Sequence, residues 1–321
     1  FVGLSITHTA PGKSPKFLLV ERYGGLRVAA LSSHLQERHG MYHNGTILVS
    51  AVLDFSTLYA HPGNDLHFLG FFPSLAATAH YHRALGKDAG DLATLRKEVA
   101  IFVREELAPA LFQGSDLPEA KKRELAKKMA TFTGLEPEFI FGSNLRISTS
   151  SFFKELLRDR GQIVGRFDSR VLGDDPTDSG QRPSYDPSYT NIYGSYASAM
   201  TGYVREDLKF ESDLVYEILS SKVRPWDYST YEGRYVNVAP MLAEAMKENP
   251  HLRVLALCGY YDLATPYHAM EHTLRHLPID PNLRGNLSVE YYQSGHMMYN
   301  NLPDLIKLRK DLIRFINKVA N

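Results

Sequence analysis

The chain has 321 residues, and its 36 basic and 36 acidic side chains give a formal net charge of zero. At 44% hydrophobic and 22% charged it has the composition of a folded globule. No run approaches the roughly 18 consecutive apolar residues that a bilayer-spanning helix needs, and no overall field draws nucleic acid or an anionic membrane to it. The single cysteine, Cys258, forbids an intramolecular disulfide and so excludes a small disulfide-stapled scaffold. The length is more than one compact domain usually holds, which predicts a large α/β domain with an insertion, or two domains. The opening eight residues, from Phe1, read as the tail of something already under way and predict a fragment or processed chain.

In chain order, residues 16–20 form a short apolar run closed by the turn-prone Tyr23-Gly24-Gly25, after which Leu26, Val28, Ala29, Ala30, Leu31 and Leu35 recur at helical spacing up to Gly40. This pattern predicts a strand, a sharp turn and a helix. Residues 46–53 are a second continuous apolar run, as expected of a parallel strand buried on both faces. From about residue 73 to 240 the character becomes helical with charged faces, notably at 92–112, 118–132 and 151–160, with no convincing buried strand. The α/β signature then returns: a strand at 253–257, a helix near 267–276, a strand at 287–292 and an amphipathic helix over 303–319. The predicted organisation is thus a mostly parallel sheet flanked by helices, residues 1–72 and 241–321, interrupted by a helical cap over 73–240.

Three positions fall where strands end and loops begin, where an open α/β sheet places its ligands. They are the turn after residue 20, the loop Gly259-Tyr260-Tyr261-Asp262 and the loop Ser294-Gly295-His296. Their chain order is elbow, acid, histidine, which is the order nucleophile, acid, base of a hydrolase triad. A rival pattern is His268-Ala269-Met270-Glu271-His272, which fits the H-x-x-E-H helix of some zinc hydrolases, although no distant third ligand can be assigned. His39 with His43, and His80 with His82, read as loop and surface residues.

The segment Phe17-Leu18-Leu19-Val20-Glu21-Arg22-Tyr23-Gly24-Gly25-Leu26-Arg27 resembles the nucleophile region of the serine carboxypeptidases, whose signature is Gly-Glu-Ser-Tyr-Gly. Cys258-Gly259-Tyr260-Tyr261-Asp262 resembles the loop of their catalytic aspartate, and Tyr292-Gln293-Ser294-Gly295-His296-Met297 that of their catalytic histidine. The likeness runs through the whole chain and is nearest to the bacterial branch that lacks disulfides. It implies an α/β-hydrolase fold with a helical cap, and removal of C-terminal residues from peptides through a serine acyl-enzyme, without metal or other cofactor. It also implies a periplasmic or secreted setting, and a peptide C-terminus as partner. Asp262 would orient His296, His296 would be general base and acid, and the backbone amide of Tyr23 would be an oxyanion donor. Glu21 would help hold the substrate carboxylate in a protonated or proton-sharing state, favouring acidic pH, with Gly24 beside it.

Two departures change that expectation. The serine position holds Arg22 and the leading glycine position holds Val20. A guanidinium stays protonated and offers no lone pair to a carbonyl carbon. The resemblance also leads one to expect strands before the nucleophile, with their oxyanion loop, and a chain truncated ahead of them would leave the strand near 17–20 at an unprotected edge. As written, the chain is expected to lack carboxypeptidase turnover. It would be either a decayed or altered copy of an active lineage, or a non-catalytic member in which Arg22 pairs with Glu21 or captures an anion such as a peptide carboxylate.

Overall fold

The structure is a computed structural model describing residues 14–86 and 89–320, so the expectation about the opening eight residues lies outside the described part. Strand β1 (Phe17–Glu21) turns at Arg22 into helix α1 (Gly24–His39), which ends at Gly40 in the left-handed conformation that glycine adopts without strain. Strand β2 (Gly45–Val49) follows. A helical stretch comprises α2 (Leu66–Tyr81), α3 (Leu92–Phe102), α4 (Ala108–Gln113), α5 (Glu119–Thr133), α6 (Pro137–Gly142) and α7 (Thr149–Glu155). Next come strands β3 (Gln162–Val164) and β4 (Leu172–Asp174) and helix α8 (Pro187–Gly202). The chain closes with α9 (Ala239–Glu248), β5 (Arg253–Gly259), α10 (Tyr267–Arg275), β6 (Leu287–Tyr292) and α11 (Leu302–Ala320).

The main sheet has the order β1-β2-β5-β6 and every pair in it is parallel. The two central strands are buried along almost their whole length because each alternates side chains between two helical layers. Leu48, Val254, Ala256 and Cys258 pack with Ala29 of α1, Leu242 and Met246 of α9 and Met270 of α10. Ile47, Val49, Leu255 and Leu257 face the other way, onto Leu308 and Phe315 of α11. The fold is therefore mixed α/β with a parallel sheet between helices. β1 is the outermost strand of this sheet, with Leu19 55% exposed. No described helix is long and apolar enough to cross a membrane.

A second core joins α2 through α7, with Phe72, Phe102, Leu125, Met129, Ile140 and Phe152 at its centre. Three expectations need correction. The stretch expected as a helical cap is not wholly helical: β3 and β4 form an antiparallel pair with Ile163 and Val164 buried, too short to carry a periodic signal. The run at 46–53 is strand only as far as Val49, because Ser50 takes a positive φ of 42° and turns the chain out of the sheet while residues 51–53 stay buried. The helix α2 spans Leu66–Tyr81 and so runs across the expected boundary at residue 73.

His43 and His82 are also buried, contrary to their reading as surface residues. His43 sits just before β2 with its Nε2 2.8 Å from the Thr46 hydroxyl, while its carbonyl accepts from Asn249 at 2.9 Å. Burial lowers its pKa from 6.5 to about 4, and His272 is lowered to about 4, first by burial and then by its neighbour His276. The folded state keeps these rings neutral, whereas the unfolded chain takes up protons below about pH 6.5. Their contribution is thus complete above pH 6.5 and is lost as pH falls toward 4. Replacing His43 by Gln should remove a share of this acid sensitivity on the order of 2–3 kcal/mol between pH 7 and 4. Urea unfolding midpoints at several pH values, compared between the two proteins, measure the change in slope.

Candidate functional site

The parallel register aligns Glu21, Val49 and Leu257, so the loops leaving the C-terminal ends of the strands gather at one edge. At the end of β1, Arg22 has a positive φ of 53°, rare for a residue with a side chain. The turn is held by its own backbone: the Arg22 amide donates to Val49 O at 3.1 Å, and Arg22 O accepts from Gly25 and Val52 at 3.0 and 3.3 Å. Helix α1 begins immediately, so the Arg22 side chain is presented at the junction of strand and helix, and the Tyr23 amide donates to no acceptor among the described residues. Val20 fits because Gly24 lacks a side chain; a Cβ at Gly24 would lie only 2.8 Å from the Val20 Cβ.

The acid and histidine loops meet beside this elbow. His296 Nδ1 lies 2.8 Å from Asp262 Oδ2, with Asp262 fully buried and the His296 residue 3% exposed. Asp262 Oδ1 accepts the Ala264 and Thr265 amides at 2.7 and 2.9 Å, which fixes the carboxylate. The Thr265 hydroxyl stands 2.8 Å from Asp262 Oδ2, 2.8 Å from Ser50 O and 3.1 Å from His296 Nδ1. The Ser50 hydroxyl in turn donates to His296 O at 2.7 Å. With Nδ1–H directed at a carboxylate, a neutral imidazole carries its lone pair on Nε2, and that atom is buried without a hydrogen-bond partner.

A cavity of about 360 Å³ opens in front, lined by Glu21, Arg22 and His296 together with Phe167, Met297 and Tyr299 and by the inner face of α8. Its volume is in the range of about 300–1,000 Å³ common to small-molecule pockets. Glu21 does not pair with Arg22. Both of its oxygens stand 3.1 Å from the Tyr299 hydroxyl, whose pKa is raised by burial and then by the Glu21 carboxylate, so the phenol keeps the proton it donates. Arg22 instead places its guanidinium carbon 5.1 Å from the Phe167 ring centroid and 5.4 Å from that of Tyr23. Burial, and then the neighbouring Arg166, lower its pKa from the usual arginine value.

Comparison of the chain with protein-family models, curated proteins and solved structures gives no match. The chemistry is thus read from the residues alone. Of those singled out from sequence, Arg22, Glu21 and His296 line one cavity, Asp262 lies beneath His296, and Tyr23 and Gly24 form the turn behind Arg22. An oriented imidazole of this kind can exchange a proton with a hydroxyl or water brought to Nε2. The Phe167 ring lies beside the imidazole, with centroids 5.5 Å apart, and the cation Arg22 lines the same cavity.

The zinc pattern finds other employment. His268 Nδ1 lies 2.9 Å from Glu271 Oε2, and Glu271 also accepts from Tyr291 and sits near Arg96 and Arg275. The His272 ring packs on His276, with centroids 4.0 Å apart. No group of three or more His, Cys, Asp or Glu among the described residues is placed to hold a metal.

Residues 166–169, between β3 and β4, are a part of the site that sequence reasoning missed. Arg166 O accepts from Leu263, Ser169 N donates to Tyr261 O, and His296 N donates to Phe167 O at 2.6 Å, so one short ribbon is bonded to both loops. Its approach requires Gly295, where a Cβ would stand 2.2 Å from Phe167 O. The signals that could have been noticed were the glycine beside His296 and the arginine–aromatic pair at 166–167. Gly295→Ala should therefore destabilise the fold by roughly 1–3 kcal/mol or more by overpacking. Gly285→Ala, at a position with open space around it, should have little effect. Chemical denaturation of the two variants beside the parent protein checks this.

Proposed function

We propose that the chain carries the serine-carboxypeptidase scaffold, an α/β-hydrolase core under a cap, and that its pocket receives the C-terminus of a peptide without cleaving it through an acyl-enzyme. The observation that carries the reading is the placement of Arg22 at a left-handed strand-to-helix turn in the same cavity as a His296–Asp262 pair. In a serine hydrolase of this arrangement, the hydroxyl gives its proton to the imidazole as its oxygen bonds to the carbonyl carbon. The resulting oxyanion is held by backbone amides, of which that of Tyr23 is the candidate here.

Arg22 cannot take that first step, because its guanidinium nitrogens have no available lone pair. Loss of the nucleophile lowers turnover roughly 10⁶-fold in comparable hydrolases. What the same side chain offers is a planar fork of donors with a permanent charge, suited to a carboxylate. Glu21 is engaged with Tyr299, so the cation is left to the ligand. No cofactor or metal enters this reading.

Restoring the hydroxyl tests the scaffold assignment. Arg22→Ser should label covalently with a fluorophosphonate and gain measurable hydrolysis of a blocked dipeptide ester, and His296→Ala in that background should abolish both. The parent chain should show neither, while binding a peptide with a free C-terminus. A folded Arg22→Ser protein that resists the reagent would sink the assignment of the elbow, as would serine-type labelling of the parent at a residue elsewhere in the cavity.

A further inference from the structure

Two guanidinium groups converge on one aromatic ring at the pocket. The Arg22 carbon lies 5.1 Å and the Arg166 carbon 5.3 Å from the Phe167 centroid. Neither side chain makes a hydrogen bond or ion pair among the described residues, although both are half-buried. Their charges repel, and burial removes part of the water that would otherwise screen them. Elsewhere the fold matches the cations that it buries or half-buries. Lys154 is buried against Asp175 at 2.7 Å, Arg170 forms a two-pronged pair with Asp168, and Arg146 does the same with Asp65. Among the described arginines that are not exposed, Arg22 and Arg166 are therefore the exceptions; Arg22 lines the cavity, and Arg166 adjoins it through the Phe167 ring they share.

The rest of the cavity is apolar or aromatic. Tyr189, Ile192, Tyr196 and Met200 come from α8, and Leu219 comes from the extended segment that follows it. The acidic group Glu21 lies in the same cavity and disfavours an anion at its own end. A ligand fitted to this arrangement has a negative head for the arginines and a large apolar body beside it.

We propose that Arg22 and Arg166 act as one two-cation seat for a carboxylate, and that the preferred ligand is a peptide whose last residue has a free carboxylate and a large apolar side chain. This rests on the peptide-binding reading above and narrows it. The terminal carboxylate occupies the position beside His296, with the final side chain against the α8 face. Arg22 makes the direct contact, and Arg166 adds charge from the far side of the cation–aromatic cluster. Phe167 holds both guanidinium groups through its ring face.

Calorimetric titration of the intact chain with acetyl-Phe-Phe as the free acid, its C-terminal amide and acetyl-Phe-Asp tests the proposal. The free acid should bind, and the amide and the Asp-ended peptide should each bind about 10-fold more weakly or worse. Arg166→Gln should weaken the free acid several-fold and flatten its salt dependence, whereas Arg166→Lys, which keeps the charge, should retain most of the affinity. Thermal unfolding of both variants separates a lost charge from a lost fold. Equal affinity for Phe and Asp ends, or an unchanged salt dependence in folded Arg166→Gln, would overturn this inference while leaving the carboxylate reading intact. Equal binding of acid and amide, or no binding of any peptide, would overturn both.

Discussion

The hydrogen bond from the His296 amide to Phe167 O is the contact on which the site depends, because it joins two parts of the chain that could otherwise adjust independently. The sheet alone can bring the ends of β5 and β6 side by side. It cannot fix where an imidazole on the following loop comes to rest. The ribbon at 166–169 does so by bonding to Tyr261 and Leu263 around Asp262 as well as to His296, so that acid and base are referred to one external backbone. Ser50 repeats the device from the other side, donating to His296 O while its own carbonyl stands 2.8 Å from the Thr265 hydroxyl. A carboxylate–imidazole contact buried this deeply stays in register because each partner's backbone is independently tied.

That constraint explains the pattern of what could be read from sequence. The strands at residues 253–259 and 45–49 were legible because burial on two faces demands a continuous apolar run, which the sequence records directly. The helices at 267–275 and 302–320 were legible because one buried face imposes a helical repeat. The same apolar signal overran at residues 50–53, since hydrophobicity reports burial and not the direction of the backbone, and Ser50 turns away while its neighbours stay inside. Loop order brought Arg22, Asp262 and His296 into consideration together. The ribbon was barely legible: apart from Gly295 and the arginine–aromatic pair it acts through main-chain atoms more than a hundred residues from the elbow and about as far from the histidine, and main-chain groups are the same in every sequence.

Electrostatics at the elbow separates two demands that usually coincide. The turn itself needs a positive φ at residue 22 and a small residue at 24, and both conditions are met. The side chain at 22 is under no such demand, because it projects into a cavity. An arginine there costs the fold strain at φ, which is on the order of 1–3 kcal/mol for a residue with a side chain, and desolvation of its charge. Stacking on Phe167 and Tyr23 returns a part of this, about 0.5–2 kcal/mol for each well-placed contact.

The remaining imbalance is informative because of how Glu21 is used. The adjacent carboxylate could have neutralised Arg22 within the same turn, yet it is turned to the Tyr299 hydroxyl. Both side chains line the one cavity, but the positive φ at Arg22 turns the backbone out of the strand after Glu21, and Glu21 is held by Tyr299. A cation whose neighbouring carboxylate is hydrogen-bonded elsewhere keeps its donors for an anion that enters the cavity. An anion bound there gains the attraction that the fold leaves unused, and gains more as the apolar walls exclude water around the pair. The aromatic lining and the unmatched arginines are in this sense one feature, since the walls that accept an apolar side chain are also what strengthens the charge contact beside it.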